Sequence, residues 1–408
     1  MATSDHKLNN MEQEMLKQFR NALDDVLTPE HTDAVLLKWL RARNFNLKKA
    51  EELFRQNLWG RAVYNVKSLL STYKKHEIAE KFEFASYLGA AKDGTPLRYV
   101  ALGRGDFYGF IMSMSTADII YYATYLLEYD IQKTKEQTKK TGKEINEITY
   151  IFDMEHFSLH QCTYTCVVET GLDLMRMLQD YYPEIWKNVL VVNAPFYFYQ
   201  AFNILRPILR YNLLQNIRVV SKENTPELLL KYVDPEVLPA FLGGQRVDSK
   251  GDPMCSEFIK FGGIVPVEYY IYNKPYLQKR NPNSETILIP PRSFYNYPII
   301  VREANSILRI EFDTKGGSVP ITLIFRPFGK DPEDLDIPLR DEYLDTNNEK
   351  HNVFLISPTI RPQTHLVPIN YHNYAPWPGI YIFKFDNSRS LLTSIKLDLY
   401  IQVEPPHS

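Results

Sequence analysis

Residues 181–220 read YYPEIWKNVLVVNAPFYFYQAFNILRPILRYNLLQNIRVV, and the same segment closes at 233–244 with VDPEVLPAFLGG. Pro183 ends a helix, 189–192 is an apolar run of strand length, and Ala194-Pro195 breaks the chain again. From 196 to 214 the apolar residues Phe198, Ala201, Phe202, Leu205, Ile208 and Leu209 recur at spacings of three and four, which predicts one long helix. Tyr197, Ile204 and Leu213 put apolar groups on its other faces, so it needs apolar neighbours nearly all round. Such a helix is either central core or a flap that covers a ligand and touches a membrane.

Upstream, residues 84–247 alternate short apolar runs (97–102, 148–152, 189–192 and 217–220) with helical stretches such as 115–135 and 163–181. This is an α/β pattern with buried, mostly parallel strands. A sheet covered by helices on one face and by a movable helix on the other encloses an apolar cavity, with the ligand against the sheet. Ser115 and Asp118 form a capping box with the shorter acid at the start of the 115–135 helix. Further upstream, Met11, Leu16, Phe19, Leu23 and Leu27 keep helical spacing. Thr32 or Asp33 caps a helix through Val35, Leu36, Trp39 and Leu40, and a third begins after Asn46 with Ala50, Leu53, Phe54 and Leu58 in one stripe. These helices predict a small bundle.

Downstream of 248–263 the period changes to two. Ile395, Leu397, Leu399, Ile401 and Val403 alternate with polar residues, as a strand with one buried face requires. Leu308, Ile310 and Phe312 repeat the pattern, Gly316-Gly317 offers a turn, and 321–325 reads as the returning strand. An antiparallel sandwich is expected, with the polar stretches 330–336 and 345–350 as mobile surface loops.

At 408 residues the chain is long enough for two or three units. Its 24% charged and 44% hydrophobic residues are ordinary for a globular protein, and a net charge of −2 argues against nucleic acid as a partner. The amino terminus has no apolar core of signal-peptide length, and no run approaches the roughly 20 apolar residues that span a bilayer. Three cysteines, Cys162, Cys166 and Cys255, are too few for a disulfide framework. The expected location is the cytoplasm, with transient association with intracellular membranes.

Catalytic signatures are missing: no G-x-S-x-G elbow, no H-E-x-x-H zinc helix and no G-x-x-x-x-G-K phosphate loop occurs. No enzyme, cofactor or metal site is expected. His156 and His160, four apart beside Glu155, would make a ligand pair only on a shared helix, and Cys162 with Cys166 supply too few zinc ligands. Gly103, Gly105 and Gly109 have the wrong spacing for a dinucleotide loop and read as a glycine-permitted turn. Lys133, Lys135, Lys139, Lys140 and Lys143 meet anionic headgroups or form a solvated helix end diluted by Glu136 and Glu144.

The YPE, the strand ending in NAP, the hydrophobic helix and the closing Leu238-Pro239 and Gly243-Gly244 resemble the CRAL-TRIO lipid-binding family. LLKWLRARNFNLKKAEELF (36–54) resembles the family's amino-terminal helical lead, and DGTPLRYVALGRGD (93–106) extends the likeness. GDPMC (251–255), THLVP (364–368) and PGIYIFKFDNSRS (378–390) resemble a GOLD domain, and the combination is similar to the supernatant protein factor and tocopherol-associated subfamily. The resemblance implies a helical lead over 1–75, a lipid-binding domain over 76–247, a linker over 248–263 and a GOLD β-sandwich over 264–408. It implies carriage of a hydrophobic lipid between membranes through an opening gate helix. The alternative is a lipid-sensing adaptor that presents lipid to, or activates, a lipid-metabolising enzyme or GTPase pathway through a protein partner of the GOLD domain.

Pocket and gate candidates are Tyr150, Phe152, Tyr181, Val191, Phe196, Phe198, Phe202, Leu205 and Leu209. In phosphatidylinositol-transfer members of the family, a glutamate and basic residues hold the headgroup. Arg43 and Glu184 match those positions, whereas Asn44 and Asn216 stand where lysines are expected. Headgroup contacts are thus expected at Arg43, Glu184 and Asn216, and the lost cations favour a neutral isoprenoid or sterol precursor over a phospholipid.

Overall fold

The computed structural model describes residues 8–274, 281–328 and 353–406. Helices α1 (Asn10–Ala22), α2 (Asp33–Ala42) and α3 (Leu47–Val63) pack around Phe19, Leu36, Leu40, Leu53 and Phe54. Asn9, Thr32 and Asn46 cap them, each accepting a backbone N–H from the first turn. Met11, expected in the stripe of α1, is 60% exposed instead, one turn before the buried run begins. Two short helices, α4 (Leu69–Thr72) and α5 (Glu77–Lys81), lead to the sheet.

The central sheet contains β1 (Ala85–Ala90), β2 (Pro96–Val100), β3 (Ile148–Asp153), β4 (Trp186–Val192) and β5 (Ile217–Val219), in sequence order. Only β1 is antiparallel to its neighbour. Between the strands run α6 (Phe107–Ser113), α7 (Thr116–Thr141), α8 (Thr165–Tyr181), α9 (Phe198–Leu205) and α10 (Tyr211–Asn216), and α11 (Thr225–Tyr232) follows β5. The Ser115–Asp118 capping box at the start of α7 makes both of its backbone bonds, at 3.1 and 3.2 Å. At the other end of α7, Lys133 pairs with Glu136 and Lys135 with Glu30, while Lys139, Lys140 and Lys143 are exposed.

Two expectations are corrected here. The 196–214 helix is not continuous: α9 ends at Leu205, a 3-10 turn spans Arg206–Ile208, and α10 restarts at Tyr211. Pro207 lacks an N–H and disfavours helical geometry in the residue before it, which breaks the run. The gate segment also lies on the same sheet face as α7 and α8, not opposite them. Parallel strands laid down in sequence order by crossovers of one hand put every crossover on one side. The opposite face is closed by α11 and the chain after it, with Leu229, Val233, Leu238, Cys255 and Ile259 buried against Leu97, Tyr99, Ile151, Leu190 and Val192.

The C-terminal part is an antiparallel sandwich of β6 (Glu285–Ile289), β7 (Phe294–Val301), β8 (Ser306–Lys315), β9 (Ile321–Pro327), β10 (Phe354–Leu355), β11 (Ile369–Ala375), β12 (Gly379–Asp386) and β13 (Ile395–Glu404). Its sheets run β10-β9-β12-β7 and β11-β8-β13-β6. The inward residues Leu308, Ile310, Phe312, Leu397 and Leu399 of one meet Leu323, Phe325, Phe383 and Phe385 of the other. Gly316 and Gly317 both take positive φ, but they pass the chain from one sheet to the other rather than closing a β8–β9 hairpin. β9 is buried along nearly its whole length, on both faces, which an interior position between β10 and β12 satisfies. The stretches 330–336 and 345–350 lie outside the described residues.

The sandwich is seated on α3, α7 and α8. Trp59 packs on Phe354 with ring centroids 4.2 Å apart, and Gln363 N–H donates to Thr116 Oγ1 at 3.1 Å. Tyr181 Oη donates to the Ile356 carbonyl at 2.6 Å. A Cβ at Gly60 would overlap Tyr181 Oη and stand 2.9 Å from that same carbonyl. In an ordinary helix interior Gly→Ala stabilises by about 1 kcal/mol. At Gly60 the sign should reverse, with Gly60→Ala lowering the thermal midpoint by an overpacking cost of about 1–3 kcal/mol. Scanning calorimetry checks this, and a raised midpoint would contradict the close approach.

Candidate lipid-binding cavity

The face of the sheet under α7–α9 is set by register. Arg98 lies opposite Tyr150, Tyr150 opposite Val189 and Val189 opposite Ile217, while Val100, Phe152 and Val191 form the next row. Side chains alternate along a strand, so these two rows point to one side. Above them is a cavity of about 450 Å³. Its floor is formed by those rows and its walls by Leu126 and Leu127 of α7 and Leu174 and Leu178 of α8. Phe198, Ala201, Phe202 and Ile204 of α9 cover it, with Leu209 and Leu213 beyond the Pro207 break. Phe198 stacks on Phe202 at 5.9 Å and meets Phe157 edge-on at 5.8 Å, so one aromatic cluster joins the lid to the wall.

Of the sequence-derived candidates, Tyr150, Phe152, Val191, Phe198, Phe202 and Leu209 come together around this space. Two do not line it. Tyr181 is one helical turn from Met177, on the side of α8 that faces the sandwich, and with Met177 it borders a separate cavity of about 70 Å³. Phe196 precedes α9 and is 89% exposed. The side chain of Leu205 lies outside the described residues.

Sequence reasoning missed the polar groups that join the floor to α7. Arg98, the one charged residue among the described residues lining the cavity, is paired with Asp130 of α7 through its Nε at 2.9 and 2.7 Å. Tyr150 Oη donates to the same carboxylate at 2.8 Å. Burial works against the Arg98 charge, yet Asp130 more than offsets it and the guanidinium pKa is raised. Burial, then the Asp130 charge, holds the Tyr150 phenol well above its ordinary range. A second set repeats the design: Arg61 binds Glu128 at 2.6 and 3.1 Å, and Tyr182 Oη donates to Glu128 at 2.7 Å. No local spacing signals either pair, because the partners lie 32 and 67 residues apart.

The headgroup candidates sit outside the cavity, near the start of β4, and each is engaged locally. Arg43 pairs with Asp180 at 3.2 Å, and Arg210 binds the same carboxylate. Glu184 accepts from Asn212 at 2.8 Å and faces Arg41 at 3.5 Å, while Asn216 donates to the Trp186 carbonyl at 3.0 Å. Asn44 has φ 49°, a left-handed turn position that asparagine tolerates well, so its identity follows from backbone shape. Lys222 is paired with Glu155 at 2.9 Å.

His156 has φ 70° in a turn and His160 lies in a 3-10 turn bonded to Tyr164 at 3.0 Å, so they share no helix. Cys162 and Cys166 are likewise split between that turn and α8. Among the described residues no group of three or more His, Cys, Asp or Glu is placed to hold a metal. No helix of the described residues is long and apolar enough to cross a membrane.

Residues 81–244 match the CRAL/TRIO domain, and residues 13–56 match its N-terminal domain. The chain belongs to the CRAL/TRIO family. Domains of this family bind and transfer lipophilic ligands. Protein ctg-1 of Caenorhabditis elegans is 22% identical over 396 residues, 97% of each chain, so the likeness extends through the C-terminal sandwich. The solved structure of Sfh5 aligns with 66% of this chain and 99% of its own, at 15% identity and a TM-score of 0.48.

In this CRAL/TRIO domain the Arg98–Asp130–Tyr150 set ties the cavity floor to α7. Removing one partner of a buried pair leaves an uncompensated charge, at a cost of about 3–5 kcal/mol. Asp130→Asn is expected to lower stability by that order in denaturant unfolding. Glu30→Gln, which breaks the exposed pair with Lys135, should change it by under about 1 kcal/mol. Equal effects would contradict the assigned role of the buried pair.

Proposed function

We propose that this chain carries a neutral hydrophobic lipid in the 450 Å³ cavity and exchanges it at membranes by displacement of α9. The observation that carries the reading is the lining: floor, walls and cover are mostly apolar, and Arg98, the one charged residue among the described lining residues, is neutralised by the Asp130 carboxylate. A ligand burying about 300 Å² of apolar surface gains on the order of 7 kcal/mol before ordering costs, enough for reversible carriage. Phe196, Tyr199 and Tyr211, exposed by 89%, 54% and 72%, flank the lid and supply apolar and amphipathic surface for a lipid interface. The lining offers no paired nucleophile and base, so the reading is carriage rather than catalysis.

An isoprenoid or sterol precursor suits this cavity better than a phosphoinositide. A phosphate would need cations facing the cavity, and Arg41, Arg43 and Arg210 all lie outside it, in ion pairs with Glu184 and Asp180. The pocket and gate residues of this reading are Tyr150, Phe152, Val191, Phe198, Phe202, Leu205 and Leu209, with Phe196 at the membrane. The helical lead ends near residue 75, the lipid-binding domain near 247, and the sandwich from 264 is read as a GOLD domain.

A second reading, lipid sensing, is favoured by one feature. Helices α7 and α8 present one side to the lipid cavity and another, through Ile120 and Met177, to the space shared with Phe312 and Ile360 of the sandwich. Ligand loading would then change hydrogen exchange in β11 and around Ile356, whereas a pure carrier would change it only in α9 and α10.

For the carrier reading, Phe202→Asp is expected to abolish loading while leaving the sandwich folded, because it puts a carboxylate into the lid. Mass spectrometry of organic extracts from wild type and variant, purified alike from eukaryotic cells, checks this. One neutral apolar species near one per protein, present only in wild type, is the expected result. Normal loading of the variant would contradict the gate assignment, and phosphatidylinositol in wild type would contradict the neutral ligand.

A further inference from the structure

One end of the sandwich, where β12 turns into β13, displays Leu391 and Leu392 at 66% and 92% exposure, with Leu288 at 65% and Phe294 at 37%. The chain turns bring these to one end of the sandwich, with Leu288 on the outer face of one sheet and Phe294 on the outer face of the other. Arg292 N–H donates to Ser390 O at 3.0 Å, Leu288 lies opposite Lys396, and Phe294 lies opposite Asp386. The same end gathers Arg292, Lys315, Lys384, Arg389 and Lys396. Lys315 and Lys396 are directly opposite each other in the ladder, and Lys384 Nζ sits 4.4 Å from the Phe294 ring centroid. Asp386, the only acid in 288–294, 315–321 and 384–396, accepts from the Ser388 N–H at 2.8 Å, and Asp313 and Asp398 lie opposite each other two residues further along the ladder from Lys315 and Lys396. Arg292, Lys315 and Lys396 enter no ion pair among the described residues.

Folding alone does not account for two exposed leucines at the apex of a turn, since they gain nothing from solvent. We propose that this tip is a second membrane contact, in which Leu391 and Leu392 enter the interface of a bilayer and the surrounding cations hold its anionic headgroups. Apolar side chains at the apex of a turn form a protrusion, which fits a deformable lipid surface better than the groove that would seat a peptide. The location agrees with the gate. Ser318, in the turn at this end, stands 3.5 Å from Glu169 in the first half of α8, and Leu159–Thr163, which leads into α8, packs against α9. The tip and the start of the lid therefore lie at the same end of α8.

The inference concerns a surface separate from the lipid cavity and is tested without touching it. The full chain is sedimented with phosphatidylcholine vesicles, with and without phosphatidylserine. Leu391→Ser combined with Leu392→Ser, and Arg292→Glu combined with Arg389→Glu, are each expected to weaken binding to the acidic vesicles by about tenfold. Thermal midpoint and extracted lipid should stay at wild-type level. Wild-type binding by both variants overturns the inference, as does a deficit of equal size on phosphatidylcholine alone. A deficit towards polyglutamate but not towards vesicles also overturns it, since the partner would then be an acidic protein surface. Loss of extracted lipid from the wild type itself would instead count against the carrier reading.

Discussion

The pleat of β2–β5 is the constraint on which the rest of the structure depends. With Arg98, Tyr150, Val189 and Ile217 in one row and Val100, Phe152 and Val191 in the next, the sheet turns a broad, mostly apolar face to one side. The opposite face is packed solid by α11 and the segment through Ile259. On the cavity side α7 is tied to β2 and β3 through Asp130, α8 forms a second wall, and α9 covers the remaining space. A one-residue slip in β3 would bring Thr149 and Ile151 into the cavity and place Tyr150 and Phe152 against α11. The register thus decides both where the solid core lies and where a lipid can lie.

An apolar face left partly uncovered is costly in water, and the two buried ion pairs counter its collapse. Asp130 and Glu128 stand on α7, and their partners Arg98 and Arg61 stand on β2 and α3. Satisfied by arginine and tyrosine together, each carboxylate fixes α7 at one distance from the sheet and from the helical lead. Such networks tolerate little displacement, because a shifted partner leaves a buried charge unpaired. Among the described residues no comparable polar anchor holds α9 to the sheet: its first turn rests on aromatic contacts and on Tyr197 Oη donating to the Phe157 carbonyl at 2.8 Å. Wall helix α7 is thus anchored by charge and α9 by apolar contact, while the segment beyond Pro207 is tied to α8 by Arg210 donating to Asp180 and to the Gln179 carbonyl.

Much of this was legible in sequence where one physical signal dominated. Period-two alternation located β8 and β13, the buried apolar runs located β2–β5, and Asn46, Thr32 and Ser115 marked helix starts. Strand β1, ASYLGA, escaped because a short run of small and aromatic residues carries no period. The unbroken gate helix was an error of weighting, since Pro207 was visible inside the apolar pattern. Tyr181 was misplaced because periodicity says which residues share a face but not which neighbour that face meets. The β8–β9 crossing and the arginine–carboxylate pairs depend on contacts between distant segments, which local pattern does not encode.

The central claim, that the space under α9 is a ligand site rather than a packing defect, is tested most directly at Gly171. This residue lines the cavity from α8, and a Cβ added to it meets nothing within 4 Å. Gly171→Phe should fill the space from the wall, leaving α9 and the exposed Phe196, Tyr199 and Tyr211 untouched. The measurement is extracted lipid per protein beside the thermal midpoint. The account predicts an empty variant whose midpoint equals or exceeds that of unloaded wild type. A variant that carries wild-type lipid at wild-type stoichiometry would contradict it.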